Sequence, residues 1–417
     1  MTFSITLVRH ARSEANVAGI WQGQGDAALA SDGREQARAL GARIADREFD
    51  LVISSDLART QETAELTGRA PDRVEKAWRE MDLGAWEGRT FEEVADRHPD
   101  LLEAIRRGGA VSFGETGETI AEFERRSVEA FEHLVDELGG EGHALVFTHG
   151  GVIDSIVGRF FGRVDGRRTF PITTNTALTV LSGEIGRSRG RPRVAAFNDA
   201  SHLGHDVGAA ARLRDDGIPI AGFVRHGVTE ANKTGRIQGQ QCWGLHPDGH
   251  AQAQLLAAWY GTVDRVLASP IQRARETAER LASGNGISYD DRLIEQSFGA
   301  WEGVLTSEMG RDDLDILKRI YADGEDLPRG HTGETFAALI GRLAAFLDDV
   351  DIDFSERTLI VSHGAAIKAA AAHVLGNVVD IQSNLAVSPN TGVTHVAFAP
   401  QGPMLLDYAI APHLEQA

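Results

Sequence analysis

The chain has 417 residues, 42% of them hydrophobic and 25% charged, and a net charge of −19 at pH 7. That length favours two or three domains, and the acidic balance excludes a general nucleic-acid binder, which needs a basic face. Met1-Thr2-Phe3-Ser4 runs directly into an apolar stretch with no basic leader and no long apolar segment, so neither a signal peptide nor a membrane span is expected.

Short apolar runs near 3–8, 50–54 and 144–148 are bounded by polar or glycine segments and read as buried parallel strands. Between the first two, Ser31-Asp32-Gly33 opens a helical stretch to about Asp46, and Leu57 to about Thr67 reads as a second helix. Thr119 and Glu122 form a capping-box pattern. Behind it, Ile120, Phe123, Phe131, Leu134, Val135 and Leu138 share one helical face. Strands near 176–181 and 193–198 flank a glycine- and arginine-rich turn, Gly186 to Arg193, read as a solvated hairpin tip. The stretch from Gly204 to Pro219 fits neither pattern and is the expected junction. After it, strands near 220–225, 263–268, 357–362, 393–398 and 404–409 repeat the earlier order.

The repeat extends to individual residues. Arg9-His10 recurs as Arg225-His226, Arg59 as Arg273, Glu80 as Glu295, Trp86-Glu87-Gly88 as Trp301-Glu302-Gly303, and His149-Gly150 as His363-Gly364. The offsets stay between 214 and 216, so the chain reads as a tandem duplication. Domains over 1–206 and 218–417 follow. Alternating strands and helices predict an α/β fold: two tandem three-layer α/β/α domains, each a mostly parallel sheet flanked by helices. Ligands collect at the carboxyl ends of strands in such sheets. Arg9-His10, Ser54-Ser55, Thr148-His149 and their counterparts all fall there.

Each half thus brings two histidines, two arginines and one glutamate to a strand-end crevice. Of the 42 basic residues only Lys76, Lys233, Lys318 and Lys368 are lysines, so an anion site here is expected to be built from arginine, whose fork suits phosphate oxygens. A neutral imidazole can attack phosphorus, and a glutamate can protonate the leaving oxygen and then activate water. The lone Cys242 cannot form an internal disulfide, is expected to be inert, and fits a cytoplasmic setting. No cofactor or metal is expected, because arginines supply the neutralising charge and no metal-ligand spacing is present.

The stretch Leu7-Val8-Arg9-His10-Ala11-Arg12-Ser13-Glu14-Ala15-Asn16 and its counterpart Phe223 to Asn232 resemble the signature of the histidine phosphatase (phosphoglycerate mutase-like) superfamily. So do Ser54 to Ala64 with Ser269 to Ala278, Glu80 with Gly84-Ala85-Trp86-Glu87-Gly88, Thr148-His149-Gly150, and Asn198-Asp199 with His202-Leu203. The resemblance implies that His10 and His226 are phosphate-accepting nucleophiles. It implies that Arg9, Arg59 and His149, and Arg225, Arg273 and His363, bind the phosphoryl group, with Glu80 and Glu295 as proton donors. Ser13 with Asn16, and Thr229 with Asn232, are implied as further phosphate ligands near a helix start. Gln22-Gly23 and Gln238-Gly239 are implied as the loop closing over the phosphate. One position departs from the pattern: Ala11 stands where the motif, and Gly227, have glycine. This is tolerable unless the site needs a positive φ. Trp86 and Trp301 are expected to pack; His98, His246 and His331 have no repeated partner and are read as solvated or structural.

The segment after each glutamate resembles the phosphatase branch, so the expected function is hydrolysis of phosphomonoesters through a phosphohistidine, on small phosphorylated metabolites. A phosphoglycerate-type mutase, or one catalytic half beside a binding or dimerisation half, are the alternatives. A kinase partner is excluded by the lack of a Gly-x-x-x-x-Gly-Lys-[Ser/Thr] loop. The expected partner is a small-molecule phosphate ester, with no nucleic acid and no membrane, for a monomer or homodimer. Specificity is expected from 100–118 and 315–334, where Arg106-Arg107-Gly108-Gly109 contrasts with Lys318-Arg319-Ile320-Tyr321 and the nearby Asp323, Glu325 and Asp326.

Overall fold

A computed structural model describes residues 2–107, 109–161, 169–184, 192–205, 207–282, 284, 286–376 and 380–415. The chain divides into two compact units, the first built mainly from residues 1–167 and the second mainly from 209–417. Each contains a six-stranded sheet.

In the first unit the strands are β1 (Thr2–Arg9), β2 (Leu51–Ser55), β3 (Arg73–Glu75), β4 (Gly142–Thr148), β5 (Leu178–Glu184) and β6 (Arg193–Asp199). Their spatial order is β3-β2-β4-β1-β5-β6. β1, β2, β3 and β4 run parallel, and β5 pairs antiparallel to β1. The second unit repeats this with β7 (Ile220–Arg225), β8 (Arg265–Ala268), β9 (Ile287–Tyr289), β10 (Thr358–Ser362), β11 (Val393–Ala399) and β12 (Gly402–Leu405), ordered β12-β11-β7-β10-β8-β9. The architecture is the expected one: two tandem α/β units with mostly parallel sheets and flanking helices.

Central strands are covered on both faces, which is why they read as continuous apolar runs. Phe3, Ile5, Leu7 and Val8 of β1 and Ala144 to Phe147 of β4 are all buried. The helix Ile120–Glu137 starts where the sequence pattern places it. Thr119 caps the Glu122 N–H and Glu122 reaches back to the Thr119 N–H, while Phe123, Phe131 and Leu134 face the core. A helix, Ala209–Asp215, occupies part of the expected junction. The turn that begins at Gly186 falls largely outside the described residues, as does Gly108. Among the described residues no helix is long and apolar enough to cross a membrane.

The strand order explains where chemistry gathers. β1 and β4 are neighbours in register, Arg9 opposite Thr148, and the His10 N–H continues the ladder to the Thr148 carbonyl at 2.9 Å. In the second unit Arg225 lies opposite Ser362, and the His226 N–H reaches the Ser362 carbonyl at 3.0 Å. Two distant histidines therefore leave adjacent strands side by side in each unit.

Candidate active site

In the first unit the His10 and His149 rings lie 5.3 Å apart between centroids, tilted by 58°. His10 Nδ1 sits 2.8 Å from the Ala11 carbonyl oxygen. A carbonyl only accepts, so Nδ1 carries the proton and Nε2 keeps its lone pair. Arg59 donates from Nη2 to His149 Nδ1 at 3.1 Å, and a guanidinium only donates. The proton of the neutral His149 ring is therefore on Nε2, which donates to Ser55 Oγ at 2.9 Å. Arg59 is itself held by the carbonyls of Gly23 (2.7 Å) and Gly25 (2.9 Å), and Arg9 donates to the Thr173 carbonyl. The Glu80 carboxylate accepts from the N–H groups of Met81 (2.9 Å) and Gly151 (3.0 Å). The latter places it at the start of the helix Gly150–Phe161 that follows His149.

The second unit gathers the same residue types at nearly the same ring spacing, but its buried arginine meets the other histidine of the pair. The His226 and His363 rings lie 5.2 Å apart, tilted by 59°. His226 Nδ1 donates to the Gly227 carbonyl at 2.8 Å, and Arg273 Nε donates to His226 Nε2 at 3.1 Å. That contact requires a lone pair on Nε2. His363 Nε2 lies 2.8 Å from Ser269 Oγ, and Arg273 is anchored by Gly239 and Gln241 carbonyls at 2.7 and 2.9 Å. Arg225 donates to the Ser388 carbonyl at 2.7 Å. Glu295 accepts from Gln296, Ala365 and Ala366 N–H groups.

Charge and burial tune all four histidines the same way. Burial, reinforced by Arg59 and Arg9, holds His10 well below the usual imidazole range; burial with Arg59, His10 and Arg9 does so for His149. Burial with Arg273 and Arg225 acts on His226, and burial with Arg273, His226 and Arg225 on His363. Burial lowers Arg59 and Arg273 to about 10, opposed by the charges of Glu80 and Glu295, which still leaves both cationic at neutral pH. The unfolded chain takes up protons at these imidazoles as pH falls through about 6.5, and the folded chain does not. Stability linked to them is therefore complete above that pH and is lost progressively below it. The melting temperature is expected to fall from about pH 7 to about pH 5, less steeply for the His149→Gln/His363→Gln protein. Equal slopes for the two proteins would contradict this.

The secondary positions are placed as follows. Ser13 and Asn16 form a capping box on the short helix Glu14–Val17, and Thr229 and Asn232 do so on Glu230–Thr234. Ser13 Oγ donates to Gln22 Oε1 at 2.9 Å and Thr229 Oγ1 to Gln238 Oε1 at 3.0 Å. Gln22 Nε2 is buried without a hydrogen-bond partner. Gly23 and Gly239 adopt positive φ, and a Cβ at either would collide with Glu87 or Glu302. Ala11 does not adopt positive φ and packs against Leu29 and Ala37. A Cβ at Gly227 would lie 2.5 Å from the Gly249 oxygen, so glycine there answers a steric need that the first unit does not share. Trp86 and Trp301 are buried packing residues, and Cys242 is exposed.

Sequence reasoning gave no role to several residues that support these positions. Asn175 Nδ2 donates to the His10 carbonyl (2.8 Å) and to Asn16 Oδ1 (3.3 Å), and Asn390 does the same for His226 (2.9 Å) and Asn232 (3.4 Å). Arg126, paired with Glu118, donates to the backbone oxygens of Ala77, Arg79 and Glu80. Arg342, paired with Glu334, holds Arg292, Ile294 and Glu295 in the same manner. Both pairs repeat at nearly one offset: Asn175-Thr176 with Asn390-Thr391 at 215, and Glu118/Arg126 with Glu334/Arg342 at 216. His202 and His413 each meet the hydroxyl of the threonine after the asparagine, at 2.9 and 2.8 Å. Among the described residues no group of three or more His, Cys, Asp or Glu is placed to hold a metal ion.

The family model described as Histidine phosphatase superfamily (branch 1) matches residues 5–200 and again 222–411. The chain belongs to that superfamily. Among its relatives, a putative phosphoserine phosphatase 2 of Hydrogenobacter thermophilus is 32% identical over 181 residues, 42% of this chain and 87% of that protein. A glucosyl-3-phosphoglycerate phosphatase of Mycolicibacterium vanbaalenii is 29% identical over 223 residues, 49% of this chain and 97% of the relative. The match to the bifunctional protein Rv2228c of Mycobacterium tuberculosis is 33% identical over 152 residues, 35% of this chain, and spans only 41% of that protein. Among solved structures, Bacillus stearothermophilus YhfR is 29% identical and covers 48% of this chain and 99% of its own, with a TM-score of 0.44. Each of these matches covers less than half of this chain.

Proposed function

We propose that the chain is a metal-independent phosphomonoester hydrolase with two active sites, each working through a phosphohistidine on small phosphorylated metabolites of the cytoplasm. The observation that carries this is the proton placement on His10 and His226. Each presents an Nε2 lone pair within a cluster of buried arginine and a second neutral histidine. Relatives named as phosphoserine, α-ribazole and glucosyl-3-phosphoglycerate phosphatases support the reaction class.

In this reading the reaction runs through two successive displacements at phosphorus. Nε2 of His10 forms a bond to phosphorus while the bond from phosphorus to the ester oxygen breaks. The acid form of Glu80 gives its proton to that oxygen, and the alcohol leaves. Arg9, Arg59 and His149 hold the phosphoryl oxygens as charge builds. Glu80, now a carboxylate, takes a proton from water, whose oxygen displaces Nε2 and releases inorganic phosphate. Arg225, Arg273, His363 and Glu295 serve His226 in the same roles.

Release of phosphate from p-nitrophenyl phosphate and a panel of alkyl phosphates tests the reading. In the Glu80→Gln/Glu295→Gln protein, turnover of alkyl esters is expected to fall by about 10² to 10⁴. The p-nitrophenyl ester, whose leaving group needs little protonation, is expected to lose much less. An equal loss for both would remove the glutamates from the proton-donor role. Activity is also expected to survive a strong chelator; a loss restored by added Mg²⁺ would contradict metal independence.

A further inference from the structure

Among the described residues four cationic side chains are buried: Arg59, Arg273, Arg329 and Lys368. The first two lie in the candidate active sites. The other two both hydrogen-bond to Gln382, Arg329 through Nη2 to the side-chain oxygen and Lys368 through Nζ to the backbone oxygen. Arg329 is only 1% exposed, its other bond goes to the Leu327 carbonyl, and no carboxylate among the described residues pairs with it. Arg43, Arg126 and Arg342, also largely buried, each hold a carboxylate. A guanidinium buried against neutral oxygens alone is costly. Among the described residues, Arg59 and Arg273, two of the four arginines assigned to phosphate, are likewise buried without a carboxylate ion pair. Three buried polar atoms of the cluster lack a hydrogen-bond partner: Arg329 Nε, Gln382 Nε2 and Ser383 Oγ.

The cluster flanks the second site on the side of Glu295. Lys368 lies one helical turn, about 6 Å, beyond Gly364, on the helix that leaves the site after His363. The first turn of that helix donates to Glu295. Arg329 belongs to the turn Arg329–His331, which packs on the segment following Glu295. A Cβ at Gly330 would lie 2.1 Å from the Phe298 oxygen, and one at Gly333 would lie 2.4 Å from the Ser297 oxygen. Within 315–334 the exposed Arg319 is tied to Glu325, whereas the buried Arg329 has no carboxylate ion pair among the described residues.

The first unit differs at both positions. Its matching turn, Phe113–Glu115, carries Gly114 at φ +52 where the second unit has Gly330 at φ +51, so Phe113 stands where Arg329 does. Asp154 stands four residues past Gly150, as Lys368 stands four past Gly364. One cation is replaced by an aromatic ring and the other by a carboxylate.

We propose that Arg329, Lys368 and Gln382 form an anion subsite of the second active site, taking a carboxylate or second phosphate on the leaving group, and that the first site selects esters without one. The proposal rests on the phosphatase reading above. His10→Ala leaves only the second site working and His226→Ala only the first. kcat/KM is measured on each for phenyl phosphate against 4-carboxyphenyl phosphate, and for 3-hydroxypropyl phosphate against propane-1,3-diol bisphosphate. In the His10→Ala protein the charged member of at least one pair is expected to be favoured by roughly 10- to 100-fold, the range of charge-assisted hydrogen bonds. The pair that responds tells carboxylate from phosphate. In the His226→Ala protein the neutral members are expected to be favoured. Adding Arg329→Gln to the His10→Ala protein is expected to erase the preference through a raised KM, with Lys368→Met as the second variant if the first does not fold. Equal ratios in the two single-histidine proteins, or a preference untouched by both cluster variants, overturn the subsite while leaving the phosphatase reading in place. No turnover of any ester by the unaltered protein overturns that reading itself.

Discussion

Replacing His10 and His226 by alanine in the same chain is expected to abolish turnover of p-nitrophenyl phosphate, by a factor on the order of 10⁴ or more, while each single replacement removes only part of it. The expectation follows from two sites that each contain a complete set of candidate groups. His10 and His226 both hold Nδ1–H against the carbonyl of the next residue and both leave Nε2 unprotonated. A chain with one working half and one binding half would behave differently: one substitution would remove nearly all activity and the other almost none. Melting curves at neutral pH separate a lost nucleophile from a lost fold, since both rings are buried.

Arg59→Met combined with Arg273→Met is expected to lower kcat/KM on the order of 10³, because each guanidinium is buried and in contact with a histidine of the candidate pair. Lysine should not rescue the loss. Arg59 spreads its donors over Gly23, Gly25 and His149, and Arg273 over Gly239, Gln241 and His226, a fork that a point ammonium does not reproduce. A lysine variant with near-normal kcat/KM would show that only net charge matters there. The carbonyls of Gly23 and Gly239 that anchor these arginines belong to positive-φ turns, so the loop and the arginine form one unit. Gly23→Ala is accordingly a poor way to probe the loop alone.

The repeat made most of this legible. Arg9-His10, Arg59, Glu80 and His149 stand at strand ends or just beyond them, and the apolar runs that precede three of these positions announce a buried parallel sheet. What stayed hidden depends on contacts that no local pattern encodes. β3 and β9 are three residues long and carry polar side chains, too short for an alternation to register. Asn175 acts through the carbonyl of His10, and Arg126 through the backbone of Glu80, so neither resembles a chemical group in its own neighbourhood. Their recurrence as Asn390 and Arg342 at nearly the same offset was the available signal. Within 315–334 the charged residues legible in sequence, such as Arg319 and Glu325, pair at the surface, whereas Arg329 stands out only by its burial, which no local pattern encodes.

The central claim is that an imidazole in each unit becomes covalently bonded to phosphorus during turnover. Acid is avoided and base tolerated by a phosphorus–nitrogen bond on histidine, so the direct measurement is rapid alkaline quenching of the enzyme with a slowly hydrolysed phosphomonoester, followed by peptide mass spectrometry. The expected result is a phosphoryl group on the peptides containing His10 and His226, absent from the corresponding alanine variants. Turnover with unmodified peptides at both positions, or phosphate found on another residue, would contradict the account.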